Sequence, residues 1–410
     1  MSLPGPELSR MGGERLRVAR GELARGASLP GAVLAATGAG TGATGVIRLA
    51  TGLRAEAQGA GAVLQPLLET PGVTDVLVGG GRTWVDRGRG LEEVPGARLE
   101  EPQARALAVR MAAASGRRLD ESSPVVDASL PDGTRLNAVL PPLSTDGTLI
   151  CLRTSRRRAL TLPELRQAGT VPAGLDQLLT ALVERRTSCL VTGATGTGKT
   201  TLLAALLGLV SPTERIVCIE EVSELRPDHP HVIHLQERGQ NVEGVGAVPM
   251  SALVRNAMRM RPDRIVLGEC RGPEVREVLS ALNTGHEGGW ATLHANSPVD
   301  VPARLTALGA LAGMSEHMVT AQAASALDAV VHLRRLASGA RVVESVGLLS
   351  RHAGELVCQE ALVRLPDGGY RAGEAATALG RLVGPQALQA ALGGAEACGG
   401  RDLGRATCRG

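Results

Sequence analysis

The chain has no phenylalanine, one tyrosine and two tryptophans in 410 residues. Its cores must therefore be aliphatic, built from Leu, Val and Ala. So few aromatics also exclude the stacking platforms on which single-stranded nucleic acids bind. The net charge of +3 gives no electrostatic case for a duplex, so nucleic acid is not an expected partner. The seven cysteines are odd in number and scattered, with no C-x-x-C pair. That excludes a disulfide framework and reads as reduced thiols in a cytoplasmic protein. No apolar run approaches the roughly 18–20 residues that span a bilayer, and the N-terminus lacks the apolar stretch of a signal peptide. Any membrane role is expected to be peripheral.

What is present is ordinary for a globular chain: 43% hydrophobic and 21% charged residues. The length suits two or three domains. Residues 1–55 are Gly/Ala/Arg-rich with little periodicity and read as a mobile leader. Residues 56–155 alternate short strands, turns and helices. They include Gly61–Leu68 and Pro102–Ser115 as helices and a hairpin about Gly79-Gly80-Gly81. This is a small α+β domain. Residues 156–185 read as a linker, opened by Arg156-Arg157-Arg158, and a helix. Residues 186–350 alternate apolar strands with helices, as a mostly parallel α/β sheet requires. Residues 351–410 are C-terminal elements ending in a loose tail.

The motif that organises the chain is Gly193-Ala194-Thr195-Gly196-Thr197-Gly198-Lys199-Thr200-Thr201, a match to G-x-x-x-x-G-K-[ST]. It stands between an apolar strand, Cys189-Leu190-Val191, and the helical run Leu202–Leu207. Strand, glycine loop and helix aim backbone N–H groups and a helix dipole at one spot. Side chains there would keep the backbone from closing on phosphate oxygens. Lys199 is placed for the β- and γ-phosphates, and the Thr200 hydroxyl for Mg²⁺. The chain is expected to bind ATP.

Hydrolysis needs carboxylates near that site. In many P-loop proteins a buried strand ends in Asp-Glu. Here it ends in Gly268-Glu269, so metal and water must be managed partly from the other strand end, Glu220-Glu221. Glu220 and Glu269 are expected to act on Mg²⁺ through water. His286 and His294 flank the strand Trp290–Leu293. His229, His231 and His234 fit a zinc site poorly and read as surface or subunit-contact residues. Arg255 and Arg259 share a helix face. Together with Arg261 and Arg264 they either hold acids within the subunit or act on a neighbour's nucleotide.

These blocks, Gly193–Thr201, Ile219–Leu225, Arg264–Glu269 and Gly285–His294, resemble the Walker A, Asp box, Walker B and His box of the type II/type IV secretion ATPases. Arg259-Met260-Arg261-Pro262-Asp263-Arg264, His294-Ala295-Asn296-Ser297-Pro298 and Pro131–Asn137 narrow the likeness to the tight-adherence (Flp) pilus assembly ATPases, the CpaF/TadA-like branch. The resemblance implies a RecA-like domain preceded by a smaller PAS-like α+β domain. It implies a homo-hexamer on the cytoplasmic face of the inner membrane, driving inner-membrane platform proteins with ATP and Mg²⁺. By motif, Glu220, Glu221 and Glu269 serve catalysis and His286 and His294 read the γ-phosphate. Arg135 and Arg153 reach the nucleotide from the N-terminal domain. Glu221 stands where the family usually has Asp, which leaves its role open. A conjugal DNA-transfer ATPase and a non-hydrolysing assembly scaffold are the alternatives.

Overall fold

In the computed structural model the described residues are 17–19, 21–22, 25–37, 42–88, 90–154, 159–239 and 245–393. The basic run at Arg156–Arg158 and the tail beyond residue 393 lie outside them. The chain divides into two compact units, Met1–Ser155 and Arg156–Gly410.

The first unit is built on a six-stranded antiparallel sheet. Its strands are β1 (Asp75–Gly79), β2 (Arg82–Asp86), β3 (Leu91–Glu93), β4 (Val125–Ser129), β5 (Arg135–Val139) and β6 (Leu149–Arg153), in the order β3-β2-β1-β6-β5-β4. Alternation along β1, β5 and β6 turns Val76, Val78, Leu136, Ile150 and Leu152 to one face. That face forms a common core with Ala104, Ala108 and Met111 of the helix Glu101–Ala114. The leader departs from expectation. Leu29–Ala36 (α1) and Ala43–Gln58 (α2) are helices, and Ala32, Val33, Ala36, Leu49 and Leu53 form a small buried cluster. Ser28 starts α1 by accepting a hydrogen bond from the Gly31 amide. The Gly/Ala composition hid a short apolar stripe. Helices α3 (Gly61–Leu68) and α4 (Glu101–Ala114) complete the unit.

The second unit opens with α5 (Leu162–Gln167), started by a Thr161–Glu164 capping box, and α6 (Leu175–Glu184). Both pack into the core, so most of the expected linker is folded. The nine-stranded sheet has the order β15-β14-β13-β12-β7-β11-β10-β8-β9. Its parallel part comprises β7 (Cys189–Thr192), β8 (Ile216–Glu220), β9 (Val232–Gln236), β10 (Arg264–Leu267), β11 (Trp290–Leu293) and β12 (Ala329–Arg335). Strands β7, β8, β10 and β11 are buried along their whole length, as strands covered on both faces must be. Helices α7 (Lys199–Leu207), α8 (Met250–Ala257), α9 (Val275–Asn283), α10 (Val301–Leu311) and α11 (Glu316–Ala326) connect them. One strand, β11, stands between the phosphate-loop strand β7 and the Glu269 strand β10, which is the RecA-like order.

The antiparallel strands β13 (Arg341–His352), β14 (Glu355–Arg364) and β15 (Tyr370–Ala372) extend this sheet. A domain limit at residue 350 would cut β13. The Ala/Gly-rich stretch after Glu374 is folded up to residue 393. It forms α12 (Ala376–Val383) and α13 (Pro385–Gly393), with Leu379, Val383 and Ala391 buried in the core.

Candidate active site

In a parallel sheet the residues that follow each strand gather at one edge. The carboxyl ends of β7, β8, β10 and β11 thus bring the phosphate loop, Glu220, Glu269 and His294 to one place. The loop's glycines make its shape possible. Gly193, Gly196 and Gly198 have φ of +144°, +76° and +97°, and a Cβ on Gly193 would stand 2.4 Å from the Leu333 carbonyl oxygen. Thr200 and Thr201 lie in the first turn of α7.

Lys199 is buried at the loop's centre. Its Nζ donates to the carbonyl oxygens of Gly193 and Ala194 at 3.0 and 3.1 Å and lies 3.4 and 3.5 Å from the two ring nitrogens of His294. His294 Nε2 is in turn 3.2 Å from Glu269 Oε1. Burial lowers the Lys199 pKa, and the Glu269 charge works against that shift. Burial and then the Lys199 charge lower the His294 pKa, which keeps that ring neutral near pH 7.

Glu220 ends β8 and is 4% exposed. Its Oε1 accepts from the Glu224 and Leu225 amides, both at 2.9 Å, whereas Oε2 is buried without a partner. Desolvation pushes its pKa up to about 7 against the pull of those two amides. An orphaned buried carboxylate oxygen at the same sheet edge as the phosphate loop fits a site for a hydrated cation, with the Thr200 hydroxyl in the first turn of α7 as a further oxygen ligand. Gly268 is explained by the same residue: a Cβ there would come within 2.6 Å of Glu220 Cγ.

Other expected site residues fall elsewhere. Glu221 is half-exposed and pairs with Arg271. His286 is corrected. It precedes β11, at the amino edge of the parallel sheet, and its Nδ1 is 3.2 Å from the Ala281 carbonyl. The four residues of β11 separate the two edges by roughly 10 Å, so His286 does not face the phosphate loop of this chain. Arg135 and Arg153 sit directly opposite each other on β5 and β6 of the first unit, with Asp75 opposite Arg153 on the other side. His229 Nε2 lies 3.0 Å from the Ser211 carbonyl, and His231 Nε2 lies 2.9 Å from Arg215 Nη1; His234 is on β9. Arg255 and Arg264 hold acids of this same chain, Glu277 and Glu214.

Two arginines that sequence patterns did not single out touch the site. Arg341 Nε donates to the Gly196 carbonyl at 2.9 Å, and Arg304 Nε to that of His294 at 3.2 Å. Neither belongs to a local motif, because each comes from a different part of the chain.

A phosphate loop on a RecA-like sheet, with a lysine, a neutral histidine and two carboxylates at its carboxyl edge, defines a P-loop nucleotide-binding protein. Residues 94–376 match the family described as Type II/IV secretion system protein, and the chain belongs to that family. It is 47% identical over 311 residues to a Mycobacterium tuberculosis protein whose name assigns it, provisionally, to conjugal transfer. That match covers 74% of this chain and 88% of the relative. It is 36% identical over 270 residues to the type IV secretion system protein PtlH homolog of Bordetella bronchiseptica, covering 59% and 78%. Among solved structures it is similar to the VirB11 ATPase of the Brucella suis type IV secretion system in complex with sulphate. There the identity is 26%, the coverage 69% of this chain and 91% of that one, and the TM-score 0.36.

Proposed function

We propose that this chain is a Mg²⁺-dependent ATPase that works as a homo-hexameric ring. It would sit on the cytoplasmic face of the inner membrane and power inner-membrane platform proteins in the assembly of a tight-adherence (Flp-type) pilus. The observation that carries the enzymatic part is the chain of contacts from Lys199 through His294 to Glu269 under the glycine loop. When ATP enters, Lys199 exchanges the loop's own carbonyls for phosphate oxygens. Its charge then lies where negative charge builds in the transition state. His294, neutral and within reach of both Lys199 and Glu269, is placed to donate a hydrogen bond to the terminal phosphate and to register its loss. Glu269 orients the attacking water. Thr200, and Glu220 and Glu269 through water, would hold Mg²⁺, which when bound neutralises the phosphate oxygens. Arg135 and Arg153 we assign to the nucleotide on the motif resemblance of Pro131–Asn137 and of the β6 strand end.

The test is phosphate release from ATP by the purified chain with Mg²⁺, alongside Lys199→Ala and Glu269→Gln. Each substitution should remove about a hundredfold or more of the rate. Full activity in Glu269→Gln would reject this chemistry, and tight ATP binding without turnover would make the protein an assembly scaffold.

A second reading, a motor for conjugal DNA transfer, is favoured by the names of its relatives. Deleting the gene separates the two. Loss of surface pilin with unchanged DNA transfer supports the pilus, and the converse supports conjugation.

A further inference from the structure

His332 is a buried titratable group with no part in the chemistry above. It lies on β12, 5% exposed, opposite Thr192 in the parallel register with β7. Its Nδ1 is 2.9 Å from Thr192 Oγ1. Thr192 is fully buried and ends the strand from which the phosphate loop springs. On its other side Thr192 is paired in register with Leu293, the residue before His294. The imidazole is therefore bonded to the residue at which the root of the phosphate loop meets the strand that carries His294. The β12 backbone tightens the same junction: the Leu333 carbonyl abuts Gly193 so closely that no Cβ fits there.

We propose that His332 is a positioning residue for hydrolysis, fixing the placement of His294 relative to Lys199 by holding Thr192, which lies between their backbone supports. The inference rests on reading the site as one that turns over ATP. Its physical basis is that a catalytic contact depends on sub-ångström placement, while nucleotide affinity comes mostly from the loop amides and Lys199. Freeing the bridge should therefore lower kcat more than it raises KM.

The variants are His332→Leu, which fills the volume without hydrogen bonding, and His332→Asn, whose amide stands at the depth of Nδ1. Turnover is expressed per nucleotide-binding site, so that misfolded protein does not count. His332→Leu is expected to lose about tenfold or more in kcat with KM for ATP changed less than about threefold. His332→Asn should recover part of that loss. Thr192→Val should weaken turnover as well, and its combination with His332→Leu should be no worse than the poorer single variant, as shared coupling requires. Equal turnover per site in His332→Leu and wild type, or additive losses in the double variant, would overturn the proposal. Amide hydrogen exchange gives a readout that does not need hydrolysis. With a non-hydrolysable ATP analogue bound, His332→Leu should raise exchange in residues 193–197 and 293–297 together, and a rise confined to one segment would contradict the bridge. If wild-type protein binds the analogue but does not hydrolyse ATP, the enzymatic reading fails while the exchange result still decides the bridge.

Discussion

Gly268 and Glu220 compete for one volume: a Cβ at position 268 would lie 2.6 Å from Glu220 Cγ and 3.1 Å from its Oε1. The acidic side chain missing from the end of β10 is thus replaced in space by one from the neighbouring strand β8. Gly268→Asp, which restores the commoner Asp-Glu strand end, should expel Glu220. The expected result is loss of most ATP turnover together with about 1–3 kcal/mol of stability, as for other overpacked sites. Phosphate release and thermal unfolding of Gly268→Ala and Gly268→Asp measure both. Unchanged turnover in Gly268→Asp would mean that Glu220 is dispensable.

Glu220 also sets a pH dependence. Burial raises its pKa to about 7 in the folded chain, from an ordinary 4.5, so the folded state holds the proton more tightly than the unfolded one. Its contribution to stability is complete below about pH 4.5 and is lost as pH rises to about 7, a change of roughly 3 kcal/mol. In the presence of a chelator, Glu220→Gln should remove this slope and be more stable than wild type at pH 8, while losing turnover. Denaturant unfolding at several pH values checks it; parallel curves for the two proteins would contradict the assignment.

The two histidines of the glycine-rich segments should separate. His294→Ala removes the group between Lys199 and Glu269 and should lower kcat by about a hundredfold, with ATP still bound. His286 lies at the other edge of the sheet. His286→Ala should therefore leave ATP affinity within about twofold of wild type. Isothermal titration with a non-hydrolysable analogue and steady-state kinetics distinguish the two.

Arg264 is expected to matter for stability rather than chemistry. Only 2% exposed, it donates to Glu214 through Nε at 2.7 Å, to the Val183 carbonyl at 3.0 Å and to the Gly288 carbonyl at 3.3 Å. Arg264→Met strands these acceptors and should cost about 3–5 kcal/mol. Arg264→Lys should not rescue it, because an ammonium lacks the planar fork. Chemical denaturation gives the values.

Much of the site was legible because its parts are local: strands buried on both faces are continuous apolar runs, and each delivers its acid or loop in the next one or two residues. What escaped notice depends on partners distant in sequence. His332 reads as one polar residue in an apolar strand, and only the pairing of β12 with β7 puts it on Thr192. Strand β9 was hidden because Val232–Gln236 is only partly buried, with the polar His234 and Gln236 interrupting the apolar pattern. Helices α1 and α2 were missed because alanine and glycine supply little hydrophobic contrast, so that a few buried positions such as Val33 and Leu53 carry the pattern. The expectation for His286 failed because sequence proximity to His294 says nothing about strand direction.

The most direct measurement is a crystal structure of the chain with Mg²⁺ and a non-hydrolysable ATP analogue. The expected result is Lys199 Nζ moved from the Gly193 and Ala194 carbonyls onto the phosphates, with Glu220, Glu269 and His294 gathered about the terminal phosphate and its metal. An analogue bound at Gly193–Thr201 with Glu269 and His294 turned away from the terminal phosphate would contradict the motor chemistry.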